Sequence, residues 1–391
     1  MSTHSVTTVK GAPTPRALQL YGQGSSLCVS GTNDTAKSSP GHRTDAHAQP
    51  AALAPVMNGC VNTFASLKSN QRTYVCNRSS TFQYPLLSMK AFVYFLVKNN
   101  MTMLYVGDSL THQQHLSFLC AVEVEDSTLL DEAKQRIRFI FSSFLTSLPE
   151  RCYYSYQHDK RSSHEKWIGV AKASNVSHVV LNTGAWWSSH QILFNEEKDC
   201  YRRQFSPGSR LHRVLVELQQ QNIRVLWRDT APAGVCEAPD RPDYGYANFA
   251  HYNVLARLFL AAHVPNATVV PLVWEEAVTR WREHPSPEDS LHWCVFAEVS
   301  VPSVWNTLIY RQLLAQHQQE QEQEQSMVAK TAAEASRGKE TANRLGLALF
   351  RGKKSVGDAT TMSAVAMLLL LLLLLLLLLL LCHRIGAKGL S

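Results

Sequence analysis

The sequence predicts an α/β fold in three layers, with a parallel sheet covered by helices on both faces. Two observations carry that prediction. Short runs rich in β-branched and aromatic residues alternate with helically spaced apolar positions, and the chemically capable residues stand directly behind those runs. The runs are "MTMLYVGD" (101–108), "RIRFIF" (136–141), "SHVVLNTG" (177–184), "IRVLWRDT" (223–230) and "ATVVPLVW" (267–274). Leu211, Val214, Leu215 and Leu218 repeat at the helical interval, as do Val254, Leu255, Leu258, Phe259 and Ala262. A last helix is marked by Val301, Val304, Trp305 and Leu308. In a parallel sheet every crossover returns the chain to the same edge, so sites gather at the C-terminal ends of the strands.

The flanks differ in character from this folded region, 58–318. Residues 1–57 are rich in Ser, Thr, Ala, Pro and His without an apolar period and read as disordered, and no charged-then-apolar leader opens them. Residues 319–361 form a polar stalk, helical or disordered, that continues from "QHQQEQEQEQ" (316–325). Residues 362–382 are an unbroken apolar and weakly polar run with fourteen consecutive leucines from Leu368. At about 1.5 Å per residue the run spans roughly 31 Å, the thickness of a bilayer core, and predicts a transmembrane helix. A functionless leucine expansion is the plain alternative. The short basic tail 383–391 argues against a GPI signal, and Arg351, Lys353 and Lys354 on one side match Arg384 and Lys388 on the other, so charge sets no orientation.

Composition narrows the function classes. A net charge of +7 is dispersed without a Lys/Arg block, which argues against a nucleic-acid partner. Nine cysteines include no C-x-x-C pair, against a zinc ribbon or a thiol redox site, and fit either disulfides or buried free thiols. Sequons stand at Asn33, Asn77, Asn100, Asn175 and Asn266, and with the cysteines they favour the secretory pathway.

Behind the first run stands Gly107-Asp108-Ser109. Glycine allows a tight turn, and a serine at a helix N-terminus meets backbone N–H groups able to hold a developing oxyanion. Ser and Asp also serve there as ordinary caps. Near the other end, Asp289 and His292 in "EDSLHWC" are three residues apart. That spacing lets the carboxylate reach Nδ1 of the imidazole and leaves Nε2 to deprotonate a serine, although a solvated acid beside a packing histidine has the same pattern.

Three segments, "YVGDSLTHQQHLSFLC" (105–120), "VLNTGAWW" (180–187) and "DSLHWCVFAEVSVPSVWNTLIY" (289–310), with a shorter match at "WRDTAPAG" (227–234), together resemble the SGNH/GDSL hydrolase superfamily. More narrowly they resemble its PC-esterase branch, the trichome-birefringence-like polysaccharide O-acetyltransferases. The resemblance covers 95–315 and implies an SGNH/flavodoxin-like sheet with Ser109 as nucleophile, His292 as general base then acid, and Asp289 as its orienter. Gly107, Asp108, Asn182 and Gly184 fall at the oxyanion hole and cleft, although Asn182 and Gly184 would serve equally as a strand-ending turn. Trp186 and Trp187 offer flat faces to sugar rings, or packing for at least one of them. Arg228 and Thr230 are placed to line the cleft, with a structural ion pair as the other role for Arg228. The chain departs from the branch where "VFAEVSVP" replaces a Pro-Gly pair, and where the upstream Cys- and Trp-rich segment shrinks to Cys60, Cys76 and "QYPLL". It also departs in carrying its anchor at the C-terminus.

The resulting expectation is O-acetyl transfer to a polysaccharide or glycan hydroxyl through an acyl-enzyme on Ser109. The runner-up is a carbohydrate O-acetyl esterase with the same triad, and the rival from another class is a membrane-anchored glycan-binding protein without catalysis. No metal and no tightly bound cofactor is implied, only an acetyl donor as co-substrate. The domain is expected in the Golgi or secretory lumen, held by a single span, with glycans on Asn77, Asn100, Asn175 and Asn266; a cytosolic tail-anchored protein is the alternative.

Overall fold

The computed structural model describes residues 60, 63, 84–149, 152, 165–187, 197–230, 246–271, 291–293, 295 and 300–351. The chain divides into two compact units, Met1–Ala315 and Gln316–Ser391. In the first, β1 (Met103–Gly107), β2 (Ile137–Phe141), β3 (His178–Leu181), β4 (Arg224–Arg228) and β5 (Thr268–Val270) form one sheet in the order β2-β1-β3-β4-β5. Every neighbouring pair is parallel. Each strand lies inside one of the five runs anticipated from sequence. β5 is the shortest because Pro271 follows it, and proline has no N–H for the ladder.

The helices are α1 (Met89–Lys98), α2 (Ser109–Asp126), α3 (Leu130–Arg136), α4 (Lys166–Ala173), α5 (Glu197–Gln204), α6 (Arg210–Gln220), α7 (Tyr246–His263) and α8 (Val301–Arg351). All five positions of β1 and all four of β3 are buried, as a central strand covered on both faces requires. Successive residues of β1 point to opposite sides. Leu104 and Val106 belong to one core with Trp167, Leu211, Val214, Leu215 and Phe259. Met103 and Tyr105 belong to the other with Phe92, Phe118, Ile309 and Leu313. Each fully buried aliphatic or aromatic side chain contributes about 1.5–3 kcal/mol, so the two faces together hold the sheet.

Among the described residues, disulfides join Cys60 to Cys120 and Cys152 to Cys200, which decides the open choice between bridges and thiols for these four cysteines. Thr63, beside the first bridge, donates from its N–H (2.8 Å) and Oγ1 (2.6 Å) to Glu123 Oε2 on α2. In the second unit, α8 is exposed over residues 318–341 and runs on as helix to Arg351; the rest of the expected stalk, 352–361, lies outside the described residues. Among the described residues no helix is long and apolar enough to cross a membrane. The expected span at 362–382, the basic tail and the expected disordered region 1–57 lie outside the described residues.

Candidate active site

In this strand order the helix after β1 leads to β2 on one side while β3 lies on the other, which opens a crevice at the C-terminal edge between β1 and β3. Ser109 stands there, half-buried, as the first residue of α2. Asp108 caps the helix, its Oδ1 accepting the Leu110 N–H at 3.0 Å. Gly107 has to be glycine for steric reasons. A Cβ on it would overlap Thr111 Oγ1 and stand 2.6 Å from the Asn182 carbonyl oxygen. The turn therefore brings α2 close against β3, and this fixes where Ser109 emerges.

His292, separated from Ser109 by 183 positions in sequence, reaches the same point. Its Nε2 lies 2.7 Å from Ser109 Oγ, the distance at which a neutral imidazole accepts the hydroxyl proton. Asp289, expected to orient that imidazole, lies outside the described residues. The described support for the His292 segment comes from Gln113, one turn along α2 from the serine. Gln113 Nε2 donates to the Trp293 carbonyl at 2.7 Å, and Gln113 Oε1 accepts the Trp293 N–H at 3.1 Å. Gln113 is 0% exposed and Trp293 1%, so water does not compete for these bonds. One helix thus carries the serine at its N-terminus and grips the backbone next to the histidine.

The ends of β2, β3 and β4 are joined by buried polar groups. Asn182 Nδ2 donates to the Arg228 carbonyl (2.9 Å) and to Thr230 Oγ1 (3.0 Å), and Thr230 Oγ1 donates to the Thr183 carbonyl (2.8 Å). Both hydrogens of the Asn182 amide are committed, so its side chain braces β3 against β4 and offers no donor to an oxyanion. Gly184 likewise serves close approach, since a Cβ there would overlap Thr230 Oγ1 and stand 2.8 Å from Thr230 Cγ2. Thr230, expected at the cleft, is buried and held through its backbone by Asn253 at 2.8 and 2.9 Å. After β2, Leu145 takes a left-handed backbone (φ 66). Trp167 Nε1 donates to its carbonyl (2.6 Å), and Gln204 Nε2 donates to Phe144 O (3.0 Å) and Thr146 Oγ1 (2.7 Å). An unfavourable conformation is kept beside the site by bonds from two other elements.

Two expectations for substrate contact are corrected. Trp187 is fully buried, with its Nε1 donating to Thr183 Oγ1 (2.9 Å) and its ring edge-on to Phe144 and Tyr201. Arg228 is also fully buried. Its guanidinium donates to the Asp229 carbonyl (3.2 Å) and Thr111 Oγ1 (3.1 Å) and lies 4.0 Å from the Trp305 ring centroid. Neither reaches solvent, so neither lines a cleft. The ion pair imagined for Arg228 is made by its neighbour, Asp229 to Arg257. Trp186, by contrast, is half-buried and meets Phe141, 47% exposed, edge-to-face at 6.2 Å. Phe141 is the register partner of Gly107, so this aromatic pair sits on the edge that carries Ser109.

Electrostatics behind the serine are dominated by burial. Burial raises the Asp108 carboxyl above its ordinary value, opposed by the Arg228 charge and the Leu110 N–H. Burial brings Arg228 down to about 9, with Asp108 and Tyr105 acting the other way. His112 and His115, on the flank of α2 facing Phe139, are each pulled down to about 4 by burial. His115 Nε2 donates to the Ile137 carbonyl at 3.1 Å.

Gln113, Phe141 and the turn at Leu145 went unnoticed in the sequence. A glutamine four residues after a helix-starting serine was the available signal for the first, but its partner is backbone. No family model matches the chain. Among solved structures it is similar to a GDSL-like lipase from Bacteroides thetaiotaomicron VPI-5482, at 12% identity over 59% of this chain and 98% of that one, with a TM-score of 0.34. It is also similar to the acetyl xylan esterase AlAXEase, at 15% identity over 55% and 98%, with a TM-score of 0.31. Likeness this slight leaves the reading of the site to its own geometry.

Proposed function

We propose that this chain is a serine-dependent acyl enzyme that moves an O-acetyl group on a glycan. The observation that carries the reading is the 2.7 Å approach of His292 Nε2 to Ser109 Oγ, made at the N-terminus of α2 on the C-terminal edge of a parallel sheet. Ser109 Oγ attacks the ester carbonyl while His292 Nε2 takes its proton. The tetrahedral oxyanion is held by the Ser109 N–H and the positive end of α2, then collapses, and the departing alkoxide takes the proton back from the imidazolium. In the second half an acceptor hydroxyl gives its proton to His292 and attacks the acyl-enzyme, and Ser109 Oγ leaves, taking that proton back from the imidazolium. Asp289 is assigned the orienting role.

The preference for acetyl and for glycan comes from the sequence motifs, and the half-buried Trp186 with the exposed Phe141 is suited to stack against a sugar ring. With a sugar hydroxyl as acceptor the reaction is transfer; with water it is deacetylation by the same residues. The test compares wild type with Ser109→Ala on an activated acetyl ester, then adds oligosaccharide and measures acetylated sugar by mass spectrometry. Turnover lost in Ser109→Ala supports the enzyme, and acetylated sugar supports transfer. Acetate alone assigns an esterase, and equal background rates assign a binding protein.

A further inference from the structure

We propose that the sheet edge opposite Ser109 is an N-glycosylated face, with Asn100, Asn175 and Asn266 as its attachment sites. The inference does not depend on the reaction proposed above. Within the first unit, the described helix-to-strand turns that precede β1, β3 and β5 each contain one of these asparagines, all three followed at the second position by a hydroxyl: Thr102, Ser177 and Thr268. All three asparagines are exposed. Because the strands are parallel, those turns share the N-terminal edge, while Ser109 and His292 lie beyond the C-terminal edge. The five residues of β1, at about 3.3 Å each, set the two edges roughly 16 Å apart. Bulky, hydrated oligosaccharides on the first edge would therefore leave the crevice at the second one open.

A competing account is that asparagine is there for the backbone alone. Asn100 (φ 48) and Asn175 (φ 51) do adopt the left-handed conformation that Asn tolerates. So does Asn222 (φ 58), in the corresponding turn before β4, and its second position downstream is Arg224. The backbone conformation thus accounts for asparagine in the turns before β1 and β3 but not for the hydroxyl that follows. Ser177 Oγ does have a structural use, accepting the Thr102 N–H and donating to the Thr102 carbonyl, both at 3.0 Å. The backbone accounts for neither feature at Asn266, which has no left-handed backbone. The disulfides Cys60–Cys120 and Cys152–Cys200 independently point to an oxidising compartment, where glycosylation takes place. In the modification, the asparagine Nδ2 bonds to the anomeric carbon of a lipid-pyrophosphate-linked oligosaccharide. The amide gives up a proton and the lipid pyrophosphate leaves.

The full chain would be produced in cultured animal cells and treated with peptide N-glycosidase in heavy-oxygen water, which turns each occupied asparagine into labelled aspartate. Peptide mass spectrometry then reads the positions. The expected result is label on at least two of Asn100, Asn175 and Asn266, with the glycosidase-sensitive gel shift reduced in the Asn100→Asp/Asn175→Asp/Asn266→Asp variant, since aspartate tolerates the same turns. Label on one or none of the three overturns the proposal, including the case in which only Asn33 or Asn77 is occupied. This reading uses no turnover, so an inactive Ser109 leaves it standing.

Discussion

Replacing Gln113 by methionine tests whether α2 holds the histidine as well as the serine. Methionine matches glutamine in length and volume but neither donates to the Trp293 carbonyl nor accepts its N–H. If the segment stayed in place, two fully buried backbone groups would lose their partners, at about 1–3 kcal/mol each. That cost exceeds what a short segment resists, so it relaxes and carries His292 away from Ser109. A displacement of about 1 Å at a reacting pair costs up to about 100-fold in rate. We expect kcat on an activated acetyl ester to fall roughly 10- to 100-fold with KM nearly unchanged, equivalent to about 1.4–2.7 kcal/mol of barrier. Gln113→Glu keeps the acceptor and sets a carboxylate against the carbonyl, so its deficit should shrink as pH falls and the carboxyl regains a donor proton. A folded Gln113→Met protein with kcat within twofold of wild type would refute the gripping role, provided Ser109→Ala is inactive in the same assay.

Gly107→Ala forces a Cβ into Thr111 and the Asn182 carbonyl, and should cost about 1–3 kcal/mol in urea denaturation together with most of the turnover. The adjacent tryptophans should separate. Trp187→Ala removes a fully buried ring and should lower stability by about 3–5 kcal/mol. Trp186→Ala removes a half-buried ring packed against the core; it should cost clearly less stability than Trp187→Ala and raise KM for a sugar ester roughly two- to tenfold, the worth of one aromatic contact. Burial takes His112, His115 and His178 from 6.5 down to about 4, so between those values the folded chain binds fewer protons than the unfolded one. Their contribution to stability is complete above pH 6.5 and is lost as pH falls through 4, with a slope of at most about 1.4 kcal/mol per pH unit for each. Urea midpoints at pH 7.5, 6 and 5 read this directly, and a flat profile would contradict it.

The strands were legible because a doubly covered parallel strand must be a continuous run of branched and aromatic residues, as "MLYVG" and "HVVL" are. α6 showed its apolar stripe, with Leu211, Val214, Leu215 and Leu218 all buried. At α7 the helix was foreseen but not its face: of Val254, Leu255, Leu258, Phe259 and Ala262 only Phe259 is buried, Leu258 is 64% exposed, and the core side is Phe249, Tyr252, Ala256, Phe259 and Leu260. α1 was missed although its Phe92, Val93 and Leu96 are buried, since "MKAFVYFLVK" is too apolar all round to present a stripe. At the site, Ser109 and His292 could be paired because their contact is made by side chains, and motifs record side chains. Gln113 could not, because its partner is the Trp293 backbone, 180 positions away, and any residue at 293 would provide it. Arg228 and Trp187 misled because position after a strand says which edge a residue occupies but not whether it turns inward. Arg228 turned inward onto Trp305, which lies on α8.

The Cys60–Cys120 bridge fixes where a shortened version of this protein can begin. Any version starting after Thr63 would leave Cys120 an unmatched thiol on the very helix that begins with Ser109, and would strip Glu123 of both Thr63 contacts. By chain-entropy reckoning, closing that 60-residue span is worth about 4 kcal/mol. A fragment trimmed to the sheet would thus be a weaker protein, and it would become oxidation-prone a few turns away from Ser109.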